Sequence, residues 1–428
     1  QIIWAYLSFG AIIRKSQAFS VWQHHIYLHV LKCCLGFYTL FWSGLRYMKI
    51  SVQDTLNLLS IIIEPLFPVL ARHQQRTAYI ALCLARELQQ PQESVRCVYM
   101  AANIHDIGVL GKKYAGLTEA SLECGAVLHR HEALGVSMSS GIRFLKPITG
   151  ILKHHHICWD SAEPNKYPIE NHLVAFADRF ELYLRKCLPN YIVSSQDIVS
   201  GFIKHQPALC PTIYTALQRL ALKDEFWFRL ESDRLCGVLK LLSPVNDVII
   251  DSEDFLEVCL LISRMVDKYS SFTVTHSASV ANVASALGRV MGFSSAEQKE
   301  LAIAGYLHDI GKIHIPLHIP EKKGSLTDKE YALIRKHSYK TWEILTMIKP
   351  LHRLGKWASS HHERLDGSGY PFGLVATDLC LPSRILAVAD VFSALTENRP
   401  YRQGMSAQKA LHILDSDVRN HKLDKQVV

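Results

Sequence analysis

Apolar side chains recur at three- and four-residue steps along most of the chain, and this spacing predicts α-helices. The clearest example is a set of five positions that we expect to form one buried helix face: Val280, Val283, Ala284, Leu287 and Val290. Strict alternation of apolar and polar residues is scarce, and residues 237–250 are the best, though ambiguous, strand candidate. The pattern therefore predicts an all-α protein.

Polar residues that can cap helices predict where two of these helices begin. Ser295 is expected as an N-cap, with Glu297 in the first turn that follows it. Thr327 and Glu330 have the spacing of a capping box, in which each side chain bonds the backbone N–H of the other residue. We expect helices to start at both places.

Histidine and aspartate residues occur in the same order in the two halves of the chain. His73 lies 32 residues before His105, and His276 lies 32 residues before His308. His73 therefore matches His276, and His105 matches His308, both at an offset of 203 residues. The offset is 206 or 212 for five later pairs: His131 and His337, His155 and His361, His156 and His362, Asp160 and Asp366, and Asp178 and Asp390. This repeat predicts two tandem helical domains related by internal duplication, at about residues 49–250 with a helical connector and residues 251–428.

The two ends of the chain carry separate expectations. The first methionine is Met48, and we interpret residues 1–47 as a non-native extension or an anchor. A membrane span is not expected there, because His29 and Lys32 leave an apolar run shorter than the ~20 residues that a span needs. The match between the copies also leads us to expect that the second ends about one helix early.

Composition limits the classes of protein and of partner. With 428 residues, 49% hydrophobic and 20% charged, the chain is typical of a globular protein with more than one domain. A net charge of +8 fits either an ordinary basic surface or an anionic partner. Eleven cysteines without a CxxC pair predict free thiols in a reducing cytoplasm. Nucleic-acid binding is not expected, since no basic stripe with interleaved aromatic residues occurs.

The second copy contains side chains of the types that bind first-row metals. They are five histidines and two aspartates: His276, His308, Asp309, His337, His361, His362 and Asp390. Seven ligands exceed the needs of one tetrahedral ion and suit two ions ~3.5–4 Å apart that share a carboxylate. Asp309 is the candidate bridge, and Lys312 is spaced to hold a phosphate oxygen. We therefore expect Asp309 and Lys312 to take part in catalysis of phosphoester hydrolysis.

Three motifs make residues 256–428 resemble the HD-GYP subgroup of the HD superfamily of metal-dependent phosphohydrolases. They are HDIGK (308–312), HHERLDGSGYP (361–371) and ENRPYR (397–402). The resemblance implies a helical domain that binds iron, manganese or related divalent ions and opens a cyclic dinucleotide to a linear product. The substrate is chiefly cyclic di-GMP in this subgroup. The tandem layout is similar to bacterial phosphodiesterases that hydrolyse 3′3′-cyclic GMP-AMP.

The same resemblance assigns roles to individual residues. It implies that the seven histidines and aspartates bind metal, and that four residues contact substrate: Lys312, Tyr370, Arg399 and Arg402. Gly367 and Gly369 would give backbone freedom to the GYP loop, by which we mean residues 366–371. Phe272 stands where members with three metals carry glutamate, so we expect two ions, with iron or manganese favoured.

The first copy keeps the ligand types and departs elsewhere. Its matching residues are His73, His105, Asp106, His131, His155, His156 and Asp178. Val109 replaces the lysine, the glycine loop is missing, and the segment from His155 to Asp178 spans 23 residues where the second copy has 29. His154 also leaves open which two of three consecutive histidines match. We expect little hydrolysis here and interpret this domain as regulatory or structural.

Two other functions stay open. One is a cyclic dinucleotide receptor, or a scaffold that binds a signalling protein through the GYP loop. The other is an HD phosphohydrolase acting on nucleotides or guanosine tetraphosphate, which the GYP loop disfavours. The expected partner is the cyclic dinucleotide. A protein partner and a homodimer are left open. Neither a membrane nor a nucleic acid is expected as a partner.

Overall fold

The computed structural model describes residues 48–66, 71–109, 125–187, 194–206, 208–270, 275–322, 324–398 and 403–428. In the first half, two-residue strand β1 and the helices follow in this order: β1 Ile50–Ser51, α1 Val52–Ile63, α2 His73–Glu87, α3 Gln92–Ile104, α4 Gly125–Ser139, α5 Thr149–Lys153, α6 Ile169–Cys187, α7 Ser195–His205, α8 Pro211–Leu220, α9 Asp224–Glu231 and α10 Leu235–Leu242. The second half contains β2 Ile249–Ile250, α11 Ser252–Ser270, α12 His276–Val290, α13 Ser295–Leu307, α14 Asp328–Thr346, α15 His352–Ser359, α16 Leu381–Thr396 and α17 Ala407–Arg419. The all-α prediction is confirmed.

Helix α14 begins where its capping residues predicted. The Thr327 side chain accepts from the backbone of Glu330, and the Glu330 carboxylate accepts from the Thr327 N–H at 2.7 Å. The prediction for α13 was wrong by one residue, because Ser294 is the N-cap and forms a capping box with Glu297. Ser295 is instead the first residue of the helix, since only Ser294 stands three positions before Glu297 as the box requires.

Helix α12 forms as expected, but its buried face is rotated from the predicted one. Val280 and Ala284 are fully buried, whereas Val290 is 80% exposed, so its predicted burial was wrong. The buried row continues to Gly288, one turn beyond Ala284. A Cβ atom at Gly288 would lie 2.4 Å from the Leu301 side chain of α13. Glycine therefore makes room for the Leu301 side chain at this turn, and the apolar pattern hides this because glycine has no side chain.

A short antiparallel ladder joins the starts of the two halves. Ile50 pairs with Ile250 and Ser51 with Ile249, so only the end of the predicted strand at 237–250 is extended. The beginning of the predicted strand lies instead in α10, a helix of the connector that packs against α2. Arg143 reinforces the junction with Asp254, at 2.9 Å between Nε and Oδ1.

The two halves repeat the same helix packing. In the first half α2 packs on α3 and α6, and in the second half α12 packs on α13 and α16. Each half also has a short 3₁₀ helix after its HD pair, at Ile107–Val109 and Ile310–His314, which packs on α4 and α14 respectively. This correspondence supports the predicted duplication. The exact boundaries given for the two domains stay a prediction.

Close backbone contact explains the glycine of both HDIG motifs. A Cβ atom at Gly311 would lie 2.0 Å from the His337 carbonyl oxygen, and one at Gly108 would lie 1.9 Å from that of His131. Both contacts are far inside van der Waals distance, so a side chain cannot fit without moving the helix. The glycine thus holds the HD pair against the helix that carries the next histidine.

Several sequence-based expectations fall on residues outside the described ranges. These are the extension or anchor at residues 1–47, the residue Phe272, and the substrate contacts Arg399 and Arg402. Among the helices that the structure does describe, none is long and apolar enough to cross a membrane.

Candidate metal centre

The seven predicted side chains of the second copy converge in one place. We call them the second cluster: His276, His308, Asp309, His337, His361, His362 and Asp390. They come from α12, the end of α13, α14, the turn after α15, and α16. Six of them are at most 8% exposed, and His362 is half-buried. Residues up to 114 positions apart in sequence thus share one buried site.

Their donor atoms divide into overlapping groups that could each hold a metal ion. One group is His276, His308 and Asp390, a second is His337, His361 and His362, and a third is His308, Asp309 and His361. Within each group the donor atoms lie within 4.8 Å of one another. The first two groups share no residue, and they lie side by side in the second cluster.

Asp309 lies between the first two groups with one oxygen toward each. Its Oδ2 is 3.1 Å from Nε2 of His308, and its Oδ1 is 3.4 Å from Nε2 of His337. Burial raises the pKa of this carboxyl, but the charges of His308 and Lys312 outweigh burial and hold the pKa well below its usual value. Asp309 is therefore a carboxylate with the orientation that a bridging ligand requires.

Local backbone geometry aims three of the imidazoles. His308 caps α13 and places its Nδ1 2.7 Å from the carbonyl of Gly305, and His361 follows α15 and places its Nδ1 2.6 Å from that of Ala358. Nδ1 of His337 lies 2.5 Å from a carbonyl in its own helix. Since Nδ1 donates to the backbone, Nε2 carries the lone pair and points into the cluster.

Two neutral imidazoles and two atoms without hydrogen-bond partners fit metal binding. Burial lowers the pKa of His361 to about 3 and that of His337 to about 4, so both rings are neutral at pH 7. Nε2 of His308 and Oδ1 of Asp309 are buried and make no hydrogen bond with any described residue. Buried polar atoms without partners are costly, and a cation between them would satisfy both.

His276 is held by carboxylates at both ring nitrogens. Its Nε2 lies 3.2 Å from Asp390, and its Nδ1 lies 2.9 Å from Glu397. Burial lowers the pKa of His276, but the bonds to Asp390 and Glu397 outweigh burial and raise the pKa to about 10. Glu397 is the first residue of ENRPYR, and the family resemblance implied no role for it.

Two predicted substrate contacts lie beside the cluster. Nζ of Lys312 is 2.5 Å from Oδ2 of Asp309, and the Tyr370 ring lies 4.7 Å from the ring of His362. Burial raises the pKa of the Tyr370 phenol, so this side chain is a neutral hydrogen-bond donor. The other two predicted contacts, Arg399 and Arg402, are outside the described residues.

A buried glutamate holds the GYP loop against the double histidine. Glu363 is 1% exposed and accepts from the backbone N–H of Phe372 at 2.7 Å. Gly367 adopts a left-handed φ of +79°, and a Cβ atom at Gly369 would lie 2.4 Å from Glu363 Cα. The loop therefore needs both glycines. Glu363 directly follows the double histidine in HHERLDGSGYP, but no signal in the sequence pointed to this role.

The first copy assembles an equivalent set, which we call the first cluster. Its members are His73, His105, Asp106, His131, His155, His156 and Asp178. Asp106 again lies between two groups, 3.3 Å from His105 and 3.4 Å from His131. His154 turns away and packs on Tyr167, with ring centroids 5.1 Å apart. His155 and His156 are thus the pair that matches the second copy.

Comparison with known proteins supports this two-part organisation. Profiles described as HD domain match residues 70–183 and residues 261–427. The chain is 32% identical over 369 residues to 3′3′-cGAMP-specific phosphodiesterase 1 of Vibrio cholerae, which covers 83% of this chain and 85% of that protein. It is 37% identical over 167 residues to a cyclic di-GMP phosphodiesterase of Thermotoga maritima, covering 38% and 45% respectively.

A solved structure shares the fold. The crystal structure of a cyclic GMP-AMP-specific phosphodiesterase of V. cholerae superposes with a TM-score of 0.62 at 17% sequence identity. The match covers 89% of this chain and 96% of that one, so it includes both halves. With two HD domains in tandem, the chain belongs to the HD-GYP-type family of phosphodiesterases.

Proposed function

We propose that the second domain hydrolyses a cyclic dinucleotide, 3′3′-cyclic GMP-AMP or cyclic di-GMP, to a linear dinucleotide. The observation that carries the proposal is the position of Asp309, with one oxygen beside each of two histidine groups and with Lys312 at 2.5 Å. The relatives support this substrate class, because their names refer to cyclic GMP-AMP in some cases and cyclic di-GMP in others.

We further propose that the second cluster holds two divalent cations, with iron or manganese favoured among the first-row metals. Such ions activate water for attack on phosphorus and neutralise the charge that develops there. His276, His308 and Asp390 would hold one of them, and His337, His361 and His362 the other. Asp309 would contribute one oxygen to each.

Neighbouring residues would position the substrate. The Lys312 ammonium is 20% exposed at the cluster edge, so it can donate to a non-bridging phosphate oxygen while it contacts Asp309. The Tyr370 hydroxyl can donate a further hydrogen bond on the side of His362. Both groups favour an anionic phosphodiester over a neutral ligand, because each can donate hydrogen bonds to its oxygens.

The test is hydrolysis by the full chain. Protein loaded separately with Fe²⁺ or Mn²⁺ under reducing conditions would be incubated with each cyclic dinucleotide, and products would be separated by chromatography. We expect a linear dinucleotide from at least one substrate, and the ratio of the two kcat/KM values identifies the preferred one. Absence of any linear product from both substrates contradicts the proposal.

Metal analysis separates this function from the receptor alternative. A receptor needs no metal in the second cluster, so binding of the cyclic dinucleotide with near-zero metal content and no product would favour it. We expect instead that metal content and hydrolysis rise together on titration with Fe²⁺ or Mn²⁺, because the cluster supplies the ligands for both ions.

A further inference from the structure

An aromatic row leads from the second cluster to the protein surface, and we propose that its outer end binds a nucleobase of the cyclic dinucleotide. The outer end consists of Tyr331 and Arg335 on α14, which we call the base platform. This inference rests on the proposed function and adds the residues that recognise the base. Neither residue belongs to the motifs that identify the family.

Three rings form the row, and from the cluster outward they are His362, Tyr370 and Tyr331. The ring of His362 lies 4.7 Å from the ring of Tyr370, and the ring of Tyr370 lies 6.3 Å edge-on from that of Tyr331. Tyr370 is also 6.4 Å from His337, which is on the same helix as Tyr331. The platform is therefore one aromatic ring farther from the cluster than Tyr370.

The platform offers what a nucleobase binds. Tyr331 is 48% exposed, and the guanidinium of exposed Arg335 lies 5.3 Å from the centre of its ring. Bases stack on aromatic rings and on guanidinium planes, and the positive charge also favours a substrate with two phosphates.

The chemistry of the substrate sets the direction in which its base must lie. The phosphodiester to be cleaved has to reach Asp309 and Lys312, and one ribose separates it from the attached base. The base therefore lies outward of the phosphate by the length of one nucleoside. The aromatic row runs outward from the cluster through Tyr370, so a base that follows it reaches Tyr331.

The matching positions of the first domain carry different residues. At the offset of 206 residues that relates the neighbouring histidines, Tyr331 corresponds to Gly125 and Arg335 to His129. The same domain also has Val109 in place of Lys312. The copy with valine at the position of Lys312 thus also has glycine at the position of Tyr331, as expected if both residues serve one substrate.

The test compares Tyr331→Ala with the matched control Tyr339→Ala. Tyr339 is on the same helix and is 45% exposed. Its ring contacts those of Trp342 and Phe372. We expect Tyr331→Ala to raise the KM for the preferred cyclic dinucleotide by about five- to a hundredfold, with kcat within about twofold, because stacking on one base is lost. Tyr339→Ala should leave both constants within about twofold.

Two further variants and a simpler substrate separate stacking from damage to the fold. Tyr331→Phe keeps the ring and should retain the wild-type KM, whereas Tyr331→Leu keeps only apolar bulk and should behave like Tyr331→Ala. Bis(p-nitrophenyl) phosphate has no ribose, so its rings do not reach the platform and its hydrolysis should not change. Metal content should also equal that of the wild type.

The outcomes are distinct. An unchanged KM in Tyr331→Ala overturns the base platform and leaves the proposed function in place. Loss of bis(p-nitrophenyl) phosphate hydrolysis or of metal in Tyr331→Ala also overturns it, since Tyr331 would then support the cluster rather than the base. A wild-type protein that cleaves neither cyclic dinucleotide contradicts the proposed function, and the platform with it.

Discussion

Each cluster has an aspartate at its centre, Asp309 in the second cluster and Asp106 in the first. In each cluster, Oδ2 of this central aspartate accepts from a different side chain. In the second cluster it contacts the Lys312 ammonium at 2.5 Å, and in the first cluster Oδ2 of Asp106 accepts from the Gln74 amide at 3.1 Å. Both donors hold the carboxylate in place. Only the lysine adds a positive charge that can attract a phosphate, because an amide is neutral.

The histidines and aspartates around these two aspartates are nearly the same. His73 and His276 both have a carboxylate at each ring nitrogen, and in both copies an HDIG glycine packs the HD pair against the helix of the next histidine. The fold of each half therefore brings these histidines and aspartates together. We propose that the ability to act on a substrate depends on a few added residues, namely Lys312, the GYP loop and the base platform.

The largest expected difference between the clusters follows removal of the central aspartate. Asp309→Ala removes the carboxylate between the two histidine groups, so we expect loss of bound metal and a fall in kcat of at least about 10³-fold. Asp106→Ala should lower total metal content but keep hydrolysis within a few fold. Elemental analysis and product chromatography on both variants measure this. Equal loss of hydrolysis in Asp106→Ala would contradict the assignment of catalysis to the second domain.

Replacement of Lys312 should give the next largest effect and separate charge from ligand placement. Lys312→Gln keeps a donor near Asp309, as Gln74 does for Asp106, but removes the positive charge. We expect metal content to stay near the wild-type value and kcat to fall about 10²- to 10³-fold, because the charge on phosphate loses its partner. Lys340→Gln, which removes a lysine paired with Glu343 at 2.6 Å, is the control. Full activity in Lys312→Gln would show that the lysine only orients Asp309.

The convergence of these seven side chains could be predicted from sequence because their spacing occurs in both copies. Seven side chains from five separate segments were named correctly as neighbours, since the order His, His-Asp, His, His-His, Asp recurs at nearly constant intervals. The capping box at Thr327 was equally direct, because all its atoms lie within one helical turn.

Features that depend on side-chain direction or on close approach could not be predicted in this way. The role of Glu397 is one example: the first copy supplies the matching carboxylate from Glu181, whose sequence counterpart in the second copy is Ser393. The exposure of Val290 is another, since Gly288 takes the buried position and shows no apolar side chain in the pattern. Periodicity locates helices better than it locates their contacts.

His73 and His276 receive their second carboxylate from different positions, and this difference leads to a prediction about metal affinity. Glu397→Gln weakens the contact at Nδ1 of His276, and such outer contacts are typically worth about 10- to 100-fold in affinity. The double variant Ser393→Glu with Glu397→Arg copies the first domain, where Glu181 contacts His73 at 2.5 Å and Arg185 at 2.8 Å. We expect it to recover most of the loss, measured by competition with a metal chelator. An unchanged affinity in Glu397→Gln would mean that Asp390 alone positions His276.

The smallest effects are expected where the two halves are alike. Gly311→Ala and Gly108→Ala each place a methyl group against a backbone carbonyl, 2.0 Å and 1.9 Å away, so either must displace the helix behind the HD pair. We expect each to lower the free energy of unfolding of its own domain by about 1–3 kcal/mol, measured by chemical denaturation. Gly150→Ala in α5 is the control, because nothing lies within 4 Å of its new methyl group. If only one of the two variants were destabilised, the two halves would not share the packing that places the clusters. A difference in activity between the halves could then no longer be assigned to Lys312 and its neighbours alone.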